Sequence, residues 1–459
     1  SGTEIIESGL HENLIEHLNA ESVLGTITSV DNAIEWLKRS FLYVRIQKNP
    51  SHYKLKNCSN QDAKLSAEHR LEAICVKDLE LLNKFGFINL HPQLRTIKSN
   101  ANGSAMAKYY IKFKTAAALV QLKPHASLKD MLDVLCKSEE FADIGFRQDK
   151  AVLTVLNKNP AIRFPIKGRL STADLKVNLL IQCTLGSIPF TEPKTMQSMM
   201  LEANSVLPHA CRISRCLIDI AAEKQDLVML RNALDLARCL EAKTWETSPL
   251  LLKQIDSIGP SLAKLLAAAG ISSFRKLESI HPSQIEAALS RNPPFGKKVL
   301  ELAATIPRPK ISVTQAKDNT DPTRVDLFFD LRLENPATAK TSAKRRSLSA
   351  FLVVGTSDNV FIDFQQIPIF KLKDGVSIRL KVKLANAQQK IVCSLIHDGC
   401  VGLDASTIIS PDINPVHFRN LPRNSSAGAI KPAAQKVDGV KKRGDSQYTV
   451  VILRNRPTY

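Results

Sequence analysis

The apolar residues of this chain change their spacing once, at Pro307-Arg308-Pro309, and that change splits the fold into two kinds of structure. Ahead of it, apolar side chains recur every three or four residues, the repeat of a helix face. Behind it they alternate, as in Ile311-Ser-Val-Thr and Val325-Asp-Leu-Phe-Phe-Asp-Leu-Arg-Leu. Further alternating runs cover Ser349–Val354, Val360–Phe364, Val376–Leu384 and Lys390–Leu395, with turn signals at Asn319–Pro322, Ser357–Asn359 and Asp374-Gly375. Short strands separated by such turns predict an antiparallel β-sandwich. The basic insert Lys340–Arg346 is expected to be a loop. At 459 residues and 44% hydrophobic, the chain has material for about three or four domains with real cores.

The helical part is itself divided. Residues 1–28 read as one helix carrying Ile5, Leu10, Leu14, Ile15 and Leu18. Residues 29–99 read as helix (Asp31–Val44), linker, helix (Ser66–Phe85), then a β-ribbon built from Gly86-Phe87-Ile88, Leu90 and Ile97, which is a winged helix. Its second helix carries Glu68, Glu72, Asp78 and Glu80. Those charges repel phosphate, so a brace is expected rather than a DNA reader. Residues 100–246 are helix-rich and broken by six prolines. There Val206, Ala210, Ile213, Leu217 and Ile220 form one stripe, and Arg212 and Arg215 point away from it. Two readings fit these arginines: contact with a nucleic-acid strand, or ion pairs with Asp219 or Glu223.

Residues 247–308 hold the clearest local motif, Ser248–Gly270. Ser248 caps a helix that starts at Pro249 and carries Leu251, Leu252 and Ile255. After the turn Asp256-Ser257-Ile258-Gly259, a second helix starts at Pro260, with Leu262, Leu265, Leu266 and Ala269 as its stripe and Gly270 as its stop. This is the helix-hairpin-helix pattern. Its Gly leaves the first amides of the second helix uncovered, and those amides with the helix dipole suit a phosphate oxygen. The candidate contacts are Ile258, Gly259, Ser261 and Lys264. The alternative is an αα-corner that only packs.

Lys and Arg number 63 against 44 Asp and Glu, a net charge of +19. Such an excess favours a polyanion, nucleic acid first and anionic membrane second. No apolar run approaches the ~20 residues a membrane span needs. Nine cysteines without C-x-x-C spacing fit a reducing compartment, cytosol or nucleus. From about Arg419 the chain is rich in Ser, Ala, Pro, Gly and Lys, and a disordered basic tail (419–459) is expected. Within it, Tyr448–Leu453 is β-prone, either adding a strand to a partner's sheet or serving no contact.

Catalytic motifs do not emerge. G-x-x-x-x-G-K-[ST] is missing, and Gly296-Lys297 is followed by Lys298. G-x-S-x-G and H-E-x-x-H are missing too. Cys393, His397 and Cys400 lack a fourth metal ligand and read as packing and loop residues. No catalytic, metal or cofactor residue is assigned, and ATP hydrolysis by this chain alone is not expected.

Several ordered segments carry a family resemblance. ESGLHENLIEHLNAE (Glu7–Glu21), AIEWLKRSFLYVRIQKNP (Ala33–Pro50) and NKFGFINL (Asn83–Leu90) resemble the region after the motor of Ski-two-like superfamily-two helicases. AMAKYYI (Ala105–Ile111), IRFPIKG (Ile162–Gly168) and KVNLLIQCTLG (Lys176–Gly186) are similar to the Sec-sixty-three domain of that family. NPPFG (Asn292–Gly296) and SLSAFLVVGTSDNVFIDF (Ser347–Phe364) resemble its Mer-type meiotic crossover branch. The resemblance implies a multidomain α+β chain: a post-motor remnant (1–28), a winged helix (29–99), a helical bundle (100–246), a helix-hairpin-helix (247–308) and an immunoglobulin/fibronectin-like β-sandwich (309–418). It implies a nuclear ATP-dependent 3′–5′ DNA helicase whose ATP and Mg sit in motor domains that this sequence lacks. By position, the helix Val206–Ala222 with Arg212 and Arg215 corresponds to one that contacts the translocating strand. Expected partners are single-stranded or branched DNA, the motor domains, and a recombination factor on the sandwich or tail, with no membrane. The alternatives are a protein-interaction scaffold without DNA contact, and the same region of a spliceosomal-type RNA helicase.

Overall fold

The computed structural model describes residues 6–49, 52–53, 66–146, 150–190, 196–317, 321–343, 346–411, 413, 418 and 451–453. The chain begins with α1 (Leu14–Leu24), ended by Gly25 at φ +81°. The expected helix Asp31–Val44 is two helices, α2 (Val30–Lys38) and α3 (Phe41–Lys48), because the chain turns at Arg39-Ser40. Ser29 accepts the Asn32 amide and starts α2; Ser66 accepts the His69 amide and starts α4 (Ala67–Lys84). β1 (Ile88–Leu90) and β2 (Ile97–Ser99) pair antiparallel, and a Ser29–Thr96 bridge joins the ribbon to the front of α2. This is a winged-helix arrangement. The acids of α4 answer basic neighbours: Glu68 lies 3.6 Å from Lys38, and Glu72 lies 3.7 Å from Arg95.

Helices α5 (Ala101–Lys108), α6 (Phe113–Val120), α7 (Leu128–Cys136), α8 (Lys150–Asn157), α9 (Ala173–Leu185), α10 (Met196–Glu223) and α11 (Leu227–Ala242) form the bundle. Its core is continuous with that of the winged helix: Leu14, Leu18 and Phe87 belong to the same buried cluster as Met131, Ile213 and Leu236. At the seam, Asn19 donates to the Gly103 carbonyl at 2.9 Å, and a Cβ on Gly103 would lie 2.2 Å from the Phe87 carbonyl oxygen. α10 runs through Pro208 for 28 residues and starts ten residues before the expected helix. α9 is buried nearly all round and carries polar side chains inward. Lys176 pairs with Glu202 at 2.7 Å, and Gln182 both accepts from and donates to the Phe164 backbone. A buried polar group tolerates that position only when so satisfied.

After α12 (Pro260–Ala268), α13 (Phe274–Glu278), α14 (Pro282–Leu289) and α15 (Phe295–Ala304), which share a core of Leu252, Ile258, Leu266, Phe274 and Val299, the chain becomes extended. The strands are β3 (Pro309–Lys317), β4 (Arg324–Leu333), a two-residue ribbon β5–β6 (Ser342–Ala343 with Arg346–Ser347), β7 (Ser349–Thr356), β8 (Phe361–Pro368), β9 (Val376–Lys383), β10 (Ile391–His397), β11 (Ala405–Ile409) and β12 (Val451–Leu453), with helix α16 (Ile369–Asp374) after β8. They form two four-stranded antiparallel sheets, β11-β10-β7-β8 and β12-β9-β4-β3, around one core that includes Leu327, Phe329, Leu352, Leu380 and Ile391.

The alternating runs are therefore strands, while β11 and α16 were not anticipated. Ser342–Ala343 and Arg346–Ser347 pair, so the expected loop at Lys340–Arg346 is a small ribbon at its end. β7 is buried at every position: alternate residues enter the inter-sheet core, and Phe351 and Val353 join the helical core on the other face. The tail expected to be disordered lies outside the described residues, apart from Val451–Leu453. That run pairs with β9 at the edge of the second sheet.

Gly103→Ala is expected to lower unfolding free energy by about 1–3 kcal/mol, because the nearest obstacle is backbone and cannot rotate away. Gly259→Ala, with nothing within 4 Å of its added Cβ, is expected to change it little. Urea denaturation of the two variants beside the parent checks this contrast.

Candidate nucleic-acid interface

The Ser248–Gly270 motif is only half what its spacing suggests. Ser248 accepts the Leu250 amide at 3.1 Å, but Leu251–Gln254 closes only as a single 3-10 turn. Its bonds run from Lys253 to Leu250 and from Ile255 to Leu252, three residues back, so no α-helix precedes the turn. The second helix, α12, starts at Pro260 as expected and stops at Gly270, φ +80°, where the Ile271 amide bonds back to Leu266. Its buried stripe is Ala263 and Leu266, with Leu262 and Ala267 half-covered; Leu265 and Ala269 are exposed, which corrects the expected stripe.

Ile258 is 3% exposed and anchors the turn in the core, so its side chain does not contact a ligand. Gly259 caps α12 in extended geometry, φ −81° and ψ 174°, with no side-chain acceptor. Gly259, Ser261 and Lys264 are all exposed. The open amides of the first turn and the positive end of the dipole therefore face outward.

Arg212 and Arg215 lie elsewhere and only half-exposed. The Arg212 guanidinium is 3.0 Å from His209 Nδ1. Arg215 is paired at 2.7 Å with Glu241 of α11, and Asp219 is taken by Lys108 at 2.9 Å. The ion-pair reading thus holds for Arg215 with a different acid. Arg215 also lines a cavity of about 190 Å³ together with Ser347, Phe351 and Gln366, where the bundle meets the sheets. The candidate residues do not form one site: Arg215 lines the cavity against the sheets, Arg212 is engaged by His209 on its own helix, and the hairpin faces another opening.

That second opening is a cavity of about 630 Å³ between α12 and the bundle. Lys264 and Ala267 of α12 line one side; Pro160, Arg163, Ile188 and Trp245 line the other. The Arg163 guanidinium stands 5.1 Å over the Trp245 ring and 5.3 Å over Phe164, and Glu246 pairs with it at 2.7 Å. Lys253, from the 3-10 turn, stands behind this wall and donates a hydrogen bond to Ser187, which lines the cavity. Burial, then the nearby Lys243, pushes the Lys253 ammonium down to about 8. Arg163, Lys253 and Trp245 were not singled out by the spacing. Arg163 sits inside the IRFPIKG segment quoted above, but nothing local shows that this loop meets the hairpin.

Cys393 and Cys400 enter different cores, and Cys400 donates to Gln254. Among the described residues, no group of His, Cys, Asp and Glu could hold a metal, and no helix is long and apolar enough to cross a membrane. The arrangement offers cations, open amides and an apolar wall, which suit binding of an anion.

Residues 99–410 match the Sec63 Brl domain, a span that contains every candidate residue above. The chain belongs to the Sec63 Brl domain family. Residues 7–83 match a winged helix-turn-helix domain, in keeping with helices α1 to α4 seen there. Among curated relatives, the chain is 34% identical over 415 residues to the human protein named probable ATP-dependent DNA helicase HFM1, covering 87% of this chain and 28% of that protein. It is 29% identical over 423 residues to the Saccharomyces cerevisiae ATP-dependent DNA helicase MER3, covering 90% of this chain and 35% of that one. The chicken activating signal cointegrator 1 complex subunit 3 is 28% identical over 306 residues, 66% of this chain and 13% of its own length. The resemblance to the Mer-type helicases thus runs through most of the chain, and the chain spans about a third or less of those relatives.

Because Lys253 holds its proton less tightly folded than unfolded, the unfolded state binds more protons between about pH 8 and 10, and stability rises across that window. Lys253→Met removes this penalty. At pH 7 it is expected to stabilise the chain by about 1 kcal/mol, after discounting for solvent, and the gain should shrink towards pH 10. Chemical denaturation at pH 7, 8.5 and 10 measures both.

Proposed function

We propose that this chain is the non-motor C-terminal part of an ATP-dependent 3′–5′ DNA helicase of meiotic crossover recombination. In this reading it acts in the nucleus and guides DNA by nonspecific contacts to phosphates. ATP and Mg would act in the motor domains of the parent enzyme, which are partners of this chain. Support comes from the names of the relatives, from the net charge of +19, and above all from the outward-facing start of α12 at Gly259, Ser261 and Lys264.

In the same proposal the winged helix braces α1 and α5, the turn and α12 serve as a helix-hairpin-helix, and the paired sheets serve as an immunoglobulin/fibronectin-like sandwich. Arg212 and Arg215 take a lesser part, since one is engaged by Glu241 and the other by His209. Those two engagements also favour a second reading for that face: a protein-docking surface shared with the sheets, on which a recombination factor would sit.

Anisotropy titration of labelled single-stranded and forked DNA tests the proposal. With about three phosphate contacts, affinity is expected to fall about tenfold or more between 50 and 200 mM salt. Lys264→Glu should weaken it further and flatten that slope. A salt-independent affinity, or none, together with unchanged affinity in Lys264→Glu and in Gly259→Leu, would leave the protein-docking reading. RNA forks of the same sequence serve as the comparison for the spliceosomal-type alternative.

A further inference from the structure

Four groups in or just behind the wall of the 630 Å³ cavity bear on what it can hold. Lys253 is half-buried with a hydroxyl, Ser187, as its hydrogen-bond partner; the described residues place no carboxylate in an ion pair with it, and its charged neighbour is another cation, Lys243. Burying an ammonium in this way weakens a fold unless something anionic arrives. Trp245 is 4% exposed, and its indole N–H meets no acceptor among the described residues. Such an orphaned donor is uncommon in a folded protein. Lys264 projects into the same opening without an ion pair among the described residues. The acid nearest the rim, Glu246, is already engaged by Arg163 and by the Cys239 thiol.

The remaining wall is apolar and rigid: Pro160, Ile188, Pro189, Pro249 and Leu250. The volume falls within the range of small-ligand sites. The chemistry required of an occupant is therefore a flat or apolar body attached to an anion. Lys264 stands about one turn, roughly 6 Å, along α12 from the open amides of its first turn. An occupant of the cavity is thus continuous with a phosphate held at Gly259 and Ser261.

We infer that this cavity is a single-nucleotide subsite of the bound strand, in which one nucleoside packs against the proline-rich wall beside Trp245, and its phosphate is held by Lys264, with the Lys253 charge behind it on Ser187. The inference rests on the proposal that the chain binds nucleic acid, and adds where one nucleotide is held. The low proton affinity of Lys253 fits it, because a phosphate nearby would restore the lost stabilisation of the charge.

The chain has two tryptophans, Trp36 and Trp245, so Trp36→Phe leaves Trp245 as the only indole reporter. In that background, a twelve-residue oligothymidylate is expected to change Trp245 emission with the same midpoint as anisotropy of the labelled strand. Adding Lys253→Met and Lys264→Ala should abolish the emission change and weaken strand binding about tenfold. The Lys253→Met single variant, which should resist denaturant better than its parent, separates lost binding from lost folding. Strand binding by anisotropy with Trp245 silent and the double variant unaffected would overturn the subsite and leave the DNA-binding proposal standing. No strand binding at all would overturn both. Thymidine monophosphate producing the full change at the oligonucleotide's own midpoint would make this a free-nucleotide site, and overturn its place on the strand.

Discussion

The interaction on which the whole chain depends is the double burial of β7. A strand with solvent on one face can shift or peel away at small cost; β7 has a core on both faces and cannot. Its inward residues, such as Leu352 and Val354, fill the space between the sheets, while Phe351 and Val353 enter the helical core. Gly355 allows the approach to be this close: a Cβ there would sit 2.2 Å from the Leu227 side chain at the start of α11. Asp226, which caps α11, also forms a bridge with Val360. Bundle and sheets are therefore one body. Arg238, paired with Asp235 on its own helix and with Asp404 beyond β10, adds a buried ionic contact to that seam. Such a pair contributes orientation more than net stability.

The same seam places the hairpin. Gln254, in the 3-10 turn, donates to the Val401 carbonyl at 3.0 Å and accepts the Val401 amide at 3.0 Å. Gly402, at φ +85°, passes so close to Leu251 that a Cβ would lie 2.9 Å from it. On the far side, Asn335 donates to the Ala304 and Ile306 carbonyls, and Arg308 pairs with Glu278. A turn clamped from the sheets on one side and set against loops of the bundle on the other keeps α12 at a fixed height above the 159–163 and 186–189 loops. The cavity follows from that geometry, not from the motif.

What spacing revealed, and what it did not, divides along the same line. Local rules work where a residue acts on its own neighbours: Pro260 and Gly270 bound α12, Ser29 and Ser66 start helices, and the alternation after Pro309 marks strands. They fail where distant packing decides. Leu251, Leu252 and Ile255 look like a helical stripe, yet the first turn tightens to 3-10 because Gln254 answers Val401. Arg215 looks free on α10 until α11 brings Glu241 beside it. Pro208 looks like a helix start, but α10 continues through it, held on both sides. Arg163, Trp245 and Lys264 come from three separated segments, and no periodicity can announce that they share one opening.

The distribution of charge sharpens this argument. In the bundle, several basic groups that face inward have acids in register: Lys176 with Glu202, Arg215 with Glu241, Arg238 with Asp235 and Asp404. The fold therefore places acids beside these inward cations. Around α12 the pattern reverses, for Lys253 is set near Lys243 and Lys264 is left open. A fold that satisfies its ions in one place and withholds partners in another, within the same core of helices, concentrates positive potential where it does. An anion meeting that region finds the desolvation cost of Lys253 already met by folding, and gains the full attraction on arrival.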